Sequence, residues 1–173
     1  MKVFFYLAVL GLILSLTAHL ATFVGIDPMQ VCPWVWLLHM GIFVVWIPVV
    51  FFSNRCTKDQ RKKDHMQVAM QNSPAWMQKL VGPLFTYVLF NFFFTIFFLQ
   101  GGYTPRQVNG QFSLTDHGKL VRNITQAEYH RQQAYQVRAF SGHWILFYAL
   151  ASLVLYPTTK NQGEAVSETL RDV

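Results

Sequence analysis

A chain of 173 residues that is 53% hydrophobic and 13% charged is poor in charge beside soluble domains, where about a quarter of residues are charged. Sixteen Phe and five Trp deepen the bias toward a membrane protein. The formal charge of +6 then reports topology and contact with anionic lipid, and nucleic acid is not an expected partner.

Residues 3–24 are apolar and long enough to span a bilayer at ~1.5 Å per residue. Lys2 before the run and Thr17 to Ala21 near its end also fit a secretory signal. The run is longer than a usual signal core and leads straight into a second span, so it reads as an uncleaved helix. Ala8, Gly11, Ser15, Ala18 and Thr22 form a small-residue stripe at helical spacing, a pattern that lets helices approach closely in lipid. Gly25 to Pro28 reads as a turn, and Pro33 suits the first turn of a second span over residues 34–52. Trp34 and Trp36 fit an interfacial aromatic belt. Pro48 should kink that helix.

Residues 53–79 carry Arg55, Lys58, Arg61, Lys62 and Lys63 and read as a cytoplasmic loop by the positive-inside rule. Within it, Ser73-Pro74 starts a short interfacial helix with Trp76, and Gly82-Pro83 bends the chain into a third span over 83–99. Residues 101–138 are the outer module. Asn109-Gly110 predicts a type I′ hairpin, and Asp116-His117-Gly118 a three-residue hairpin. Phe112, Leu114, Leu120 and Val121 between and beyond them read as strand, giving a small β-meander that rests on the polar start of a fourth helix. Thr125 and Glu128 form a capping box there. The fourth span covers 139–156, and residues 158–173 form a mobile polar tail. The predicted fold is an all-α membrane protein: a four-transmembrane-helix bundle with an outer β-meander between its third and fourth helices. An even number of spans and the basic loop put both termini in the cytoplasm, in a bacterial inner membrane. Cys32 and Cys56 then lie on opposite sides and cannot pair.

No Asp or Glu lies inside a predicted span, which argues against a proton-coupled pump or transporter. No nucleophile elbow, Walker loop, HExxH, CxxC or dinucleotide turn occurs, so an enzyme is not the expected answer. The spans do hold His19, His39 and His143, each roughly 6–8 Å inside the outer boundary at ~1.5 Å per residue. Imidazoles at one depth on three helices could bind haem b iron axially, or copper or zinc. In architecture, though not in any motif, such a chain resembles the four-helix membrane cytochromes of the b type. The competing account is interfacial preference alone. His65, His117 and His130 read as solvated.

Tyr87, Asn91 and Thr95 form a polar stripe that should face the bundle, as interhelical hydrogen bonding or as a ligand contact. Arg106, Lys119, Arg122, Arg131 and Arg138 mark an outer interaction surface; the alternative is a solvated face paired to Glu128 and Asp116. Three functions follow. The first is an accessory subunit that uses the outer module to bind a protein partner or a second copy of itself. The second is a haem or metal redox protein. The third is a lipid or small-molecule carrier lined by the polar stripe.

Overall fold

The computed structural model describes residues 2–55 and 73–157, with side chains described outside 52–55. The basic loop from 56 to 72, with Cys56 and His65, and the tail 158–173 lie outside the described residues.

Helix α1 (Lys2–Phe23) buries Ala8, Gly11, Ser15, His19 and Thr22, which is the small-residue stripe with His19 in place of Ala18. The chain then turns through Gly25 and makes a one-turn helix α2 (Pro28–Val31), capped by the Asp27 carboxylate, which accepts from Met29 N–H. A 3-10 turn over Pro33–Trp36 leads into α3 (Leu37–Arg55), which continues through Pro48.

Helix α4 (Ala75–Phe94) departs from expectation. Residues 75–82 and the third span form one helix, with Pro83 inside it. A proline in a helix interior costs about 3 kcal/mol, and the helix nonetheless runs on through the exposed Gly82-Pro83 pair. Beyond Phe94, Thr95–Leu99 forms a π-helical turn closed by Gln100 N–H to Thr95 C=O at 2.9 Å.

Strands β1 (Thr104–Val108), β2 (Gln111–Asp116) and β3 (Lys119–Asn123) form an antiparallel meander in that order. Asn109 and Gly110 both have positive φ, at 50° and 79°, as a type I′ turn requires. The second hairpin is tighter than predicted. Asp116 pairs with Lys119 across a two-residue turn, and His117 joins Gly118 in the left-handed region. A register shift at Leu114/Thr115 accommodates the extra residue Val121. Leu114 is buried, and Phe112 packs on the Tyr129 ring at 4.9 Å, so the sheet rests on the last helix.

That helix, α5 (Gln126–Val154), has 29 residues. At ~1.5 Å per residue it is about 43 Å long, beyond the ~30 Å of a hydrocarbon core. Thr125 Oγ1 accepts from Glu128 N–H at 3.2 Å, but the Glu128 carboxylate engages the Arg122 guanidinium, so one half of the capping box forms. Helix α5 is the central element, packed by α1, α3 and α4. In its apolar window 61% of residues are buried, against 22%, 28% and 17% in the other three long helices. Tyr148 keys the centre: its hydroxyl donates to Leu38 C=O at 2.8 Å. An added Cβ on Gly11 or Gly41 would collide with Tyr148, so those two glycines are what let α1 and α3 close on it.

Four helices are thus long and apolar enough to cross a membrane. Their outward faces expose Leu10, Leu20, Phe43, Phe51, Phe90 and Phe98, an apolar girdle of the kind lipid covers. Thr17 and Thr86, also outward, donate to their own helix at Ile13 and Gly82 C=O, which spares a hydroxyl from facing hydrocarbon unpaired.

Candidate functional site

Of the polar stripe, Asn91 on α4 and Thr95 in the π turn are buried, while Tyr87 stays partly exposed and turns its hydroxyl to His19. His19, 2% exposed, sits where α1, α4 and α5 meet. Its Nε2 lies 2.5 Å from the Tyr87 hydroxyl and its Nδ1 2.7 Å from Ser141 Oγ. Ser141 Oγ also donates to Arg138 C=O at 3.2 Å. A hydroxyl has one proton. With that proton on the carbonyl, Ser141 accepts from His19 Nδ1–H, and Nε2 accepts the Tyr87 O–H. One neutral tautomer therefore satisfies three helices. The same Arg138 C=O accepts Asn91 Nδ2–H at 2.9 Å, and Asn91 Oδ1 accepts weakly from Arg138 Nε–H at 3.4 Å. Gly142 leaves room for this: a Cβ there would sit 3.2 Å from Asn91 Nδ2. Thr95 Oγ1 and Ser15 Oγ are fully buried with no hydrogen-bond partner among the described residues.

Ser141 and His19 are spaced like a nucleophile and its base. Ser141, however, is 0% exposed, so no substrate carbonyl can reach its oxygen.

The three histidines predicted as a ligand set do not converge. Both His19 nitrogens are engaged, as above. His39 Nδ1 accepts the Trp144 indole N–H at 3.0 Å, and His143 Nδ1 lies 3.3 Å from Ala139 C=O in its own helix. The space between His39 and His143 holds side chains: Trp36 contacts His39 at 6.5 Å and Phe140 at 5.5 Å, and Phe140 contacts His143 at 6.5 Å. Trp144, fully buried, closes the cluster against Trp36. Among the described residues no three His, Cys, Asp or Glu side chains are grouped to hold a metal. Similar depth put the histidines on one level, but helix rotation turns them to different neighbours.

The five outer cations also divide. Arg106 and Lys119 are exposed on the sheet. Arg122 forks onto the Glu128 carboxylate, and that hydrogen bond holds its guanidinium above the usual arginine range. Arg131 is exposed on α5. Arg138, seven residues on, turns inward, its guanidinium 3.6 Å from the centre of the Phe23 ring. The two line one cleft of about 220 Å³ with Thr22, Phe23, Leu99 and Tyr135.

A further tie joins α5 to the turn after α1. His130 is not solvated: its Nδ1 lies 2.9 Å from Asp27 Oδ2. Asp27 is 4% exposed, so the α1–α2 turn is tied to α5 by a buried carboxylate. Asp27-Pro28 as an N-cap pair was the legible half of that signal; its partner, 103 residues away, was not. Comparison with protein-family models, with curated proteins and with solved structures finds no match to this chain.

Proposed function

We propose that the protein is a polytopic membrane subunit with four spans, whose outer meander docks the acidic outer surface of a larger membrane protein. On this reading the helices form a bundle in a bacterial inner membrane, with both termini cytoplasmic. The observation that carries it is β3, every residue of which is exposed. As an edge strand it offers unpaired backbone groups, and edge strands left open are templates for pairing with another chain. Leu120 and Val121 lie exposed along it beside Lys119. On the sheet Arg106 and Lys119 are exposed against Asp116, while Glu128 is held by Arg122, so the complementary surface is acidic.

The test is charge reversal in the full-length protein. Arg106→Glu with Lys119→Glu should lower the amount of co-purifying partner by at least ~fivefold, while thermal unfolding in detergent stays unchanged. Association that survives reversal at full strength rules the docking face out. The redox alternative draws no support from a grouped ligand set among the described residues; a Soret band in the purified protein would favour it. The carrier alternative is weakened because Tyr87 and Asn91 are engaged between helices.

A further inference from the structure

Arg138 is a half-buried cation without a counterion among the described residues. Among the described residues the carboxylate ion pairs are His117 with Asp116, Arg122 with Glu128 and His130 with Asp27, and none reaches Arg138. Its Nε has the long bond to Asn91, and the Phe23 ring holds the guanidinium at 3.6 Å. No protein acceptor among the described residues takes its two terminal nitrogens. Desolvated charges are ordinarily paired. Here a second cation, Arg131, lines the same cleft; the Glu128 carboxylate within its electrostatic reach is hydrogen-bonded by Arg122 instead. Arg131, Tyr135 and Arg138 recur at four and three residues on α5 and so share a helix face. The opposite wall is the end of α1 and Leu99, the last residue of the π turn; such turns recur at functional sites.

We propose that this cleft binds a phosphate group. The free fork of Arg138 matches two phosphate oxygens, which a lysine at that position would not. Arg131 contributes a second charge from the open side, and the Tyr135 hydroxyl supplies a neutral donor. The walls are mixed, with Phe23, Leu99 and Ala134 beside the polar groups, and Arg138 immediately precedes the apolar half of α5. A phosphate there has two sources: the headgroup of a phospholipid whose tails follow the apolar wall, or a soluble phosphate anion entering from outside. The lipid source rests on the membrane reading above; the soluble source does not.

The full-length protein in detergent is titrated with dioleoylphosphatidylglycerol, with dioleoylglycerol (the same tails without phosphate), and separately with inorganic phosphate against chloride. Binding is read by native mass spectrometry for the lipids and by thermal shift for the anions. The expected result is saturable binding of phosphatidylglycerol or phosphate, with dioleoylglycerol and chloride inert. Arg131→Gln and Arg138→Lys should each weaken that binding by at least ~tenfold. Arg131 is exposed with no structural hydrogen bond among the described residues, so its variant keeps the test valid if the Arg138 variant fails to fold. Lys119→Gln, on the sheet, should bind like the parent. The probe that binds identifies the source. The proposal is overturned if neither phosphate compound binds, if dioleoylglycerol binds as well as the lipid, if Arg131→Gln binds unchanged, or if Lys119→Gln weakens binding equally.

Discussion

His19 is the residue whose surroundings say most about how the helices are held. Each of its nitrogens meets a hydroxyl from a different helix, Tyr87 on α4 and Ser141 on α5. Removing it leaves two hydroxyls without that partner, and a buried group left unpaired costs more than its hydrogen bond gained. The side chains should therefore couple. In a double-mutant cycle of His19→Ala and Ser141→Ala, the interaction is expected near the upper half of the ~0.6–1.7 kcal/mol measured for interhelical bonds in lipid. Unfolding in mixed micelles is the measurement. Additivity within about 0.3–0.5 kcal/mol would mean that the network is not formed as described. Depth along a helix could be counted from the sequence, and it brought His19, His39 and His143 to one level. Their partners could not be counted, because these depend on how each helix is rotated about its axis.

The sheet and the helices answer to different forces. Both hairpins rest on left-handed residues, Asn109-Gly110 and His117-Gly118, and a Cβ added at Gly110 or Gly118 would meet open space. Conformation alone then sets the cost of substitution. Gly118→Ala should destabilise the meander by about 1–2 kcal/mol, the penalty of a left-handed L-residue. Hydrogen exchange should show faster exchange in β2 and β3 with the amides of α5 around Trp144 unchanged. Equal loss in both regions would mean that the sheet and helices unfold as one unit. The turns were legible because Asn-Gly and His-Gly chemistry is local. The one-residue difference in the second hairpin was not, since register follows from the shift at Leu114/Thr115 and from packing of β2 on α5. Likewise, Gly82-Pro83 reads as a break on local preference. Helix α4 passes through it with both residues exposed, so the local preference for a break did not decide the backbone there.

For the molecule as a whole, the decisive question is which side of a membrane each connection occupies. The proposed topology puts the exposed Cys32 outside and Cys56 inside. In intact cells a membrane-impermeant maleimide should label a variant that keeps Cys32 alone, and should label one that keeps Cys56 alone only after permeabilisation. Labelling of both from outside would break the four-span arrangement. Helix α5 gives this topology its functional weight, since its N-terminal half carries the meander while its C-terminal half fills the centre of the helix packing. The five cations of residues 101–138 were expected on one surface. Arg106 and Lys119 stay exposed on the sheet, Arg122 pairs with Glu128, and the two arginines of α5, Arg131 and Arg138, line the cleft at the end of α1.

By itself the sequence determined that there are four long apolar helices and a meander before the last, and which stripe of α1 is buried; it misplaced the start of α4. Those features follow from apolar run length, capping, turn chemistry and helical period, all of which act within a few residues. Only the tertiary structure decided that His19 bridges three helices, that Asp27 binds His130, and that Arg138 turns inward beside Phe23. Each of these contacts joins residues dozens to more than a hundred positions apart. Their geometry is set by the close approach of α1 and α3 to α5 around Tyr148, and no local pattern carries that information.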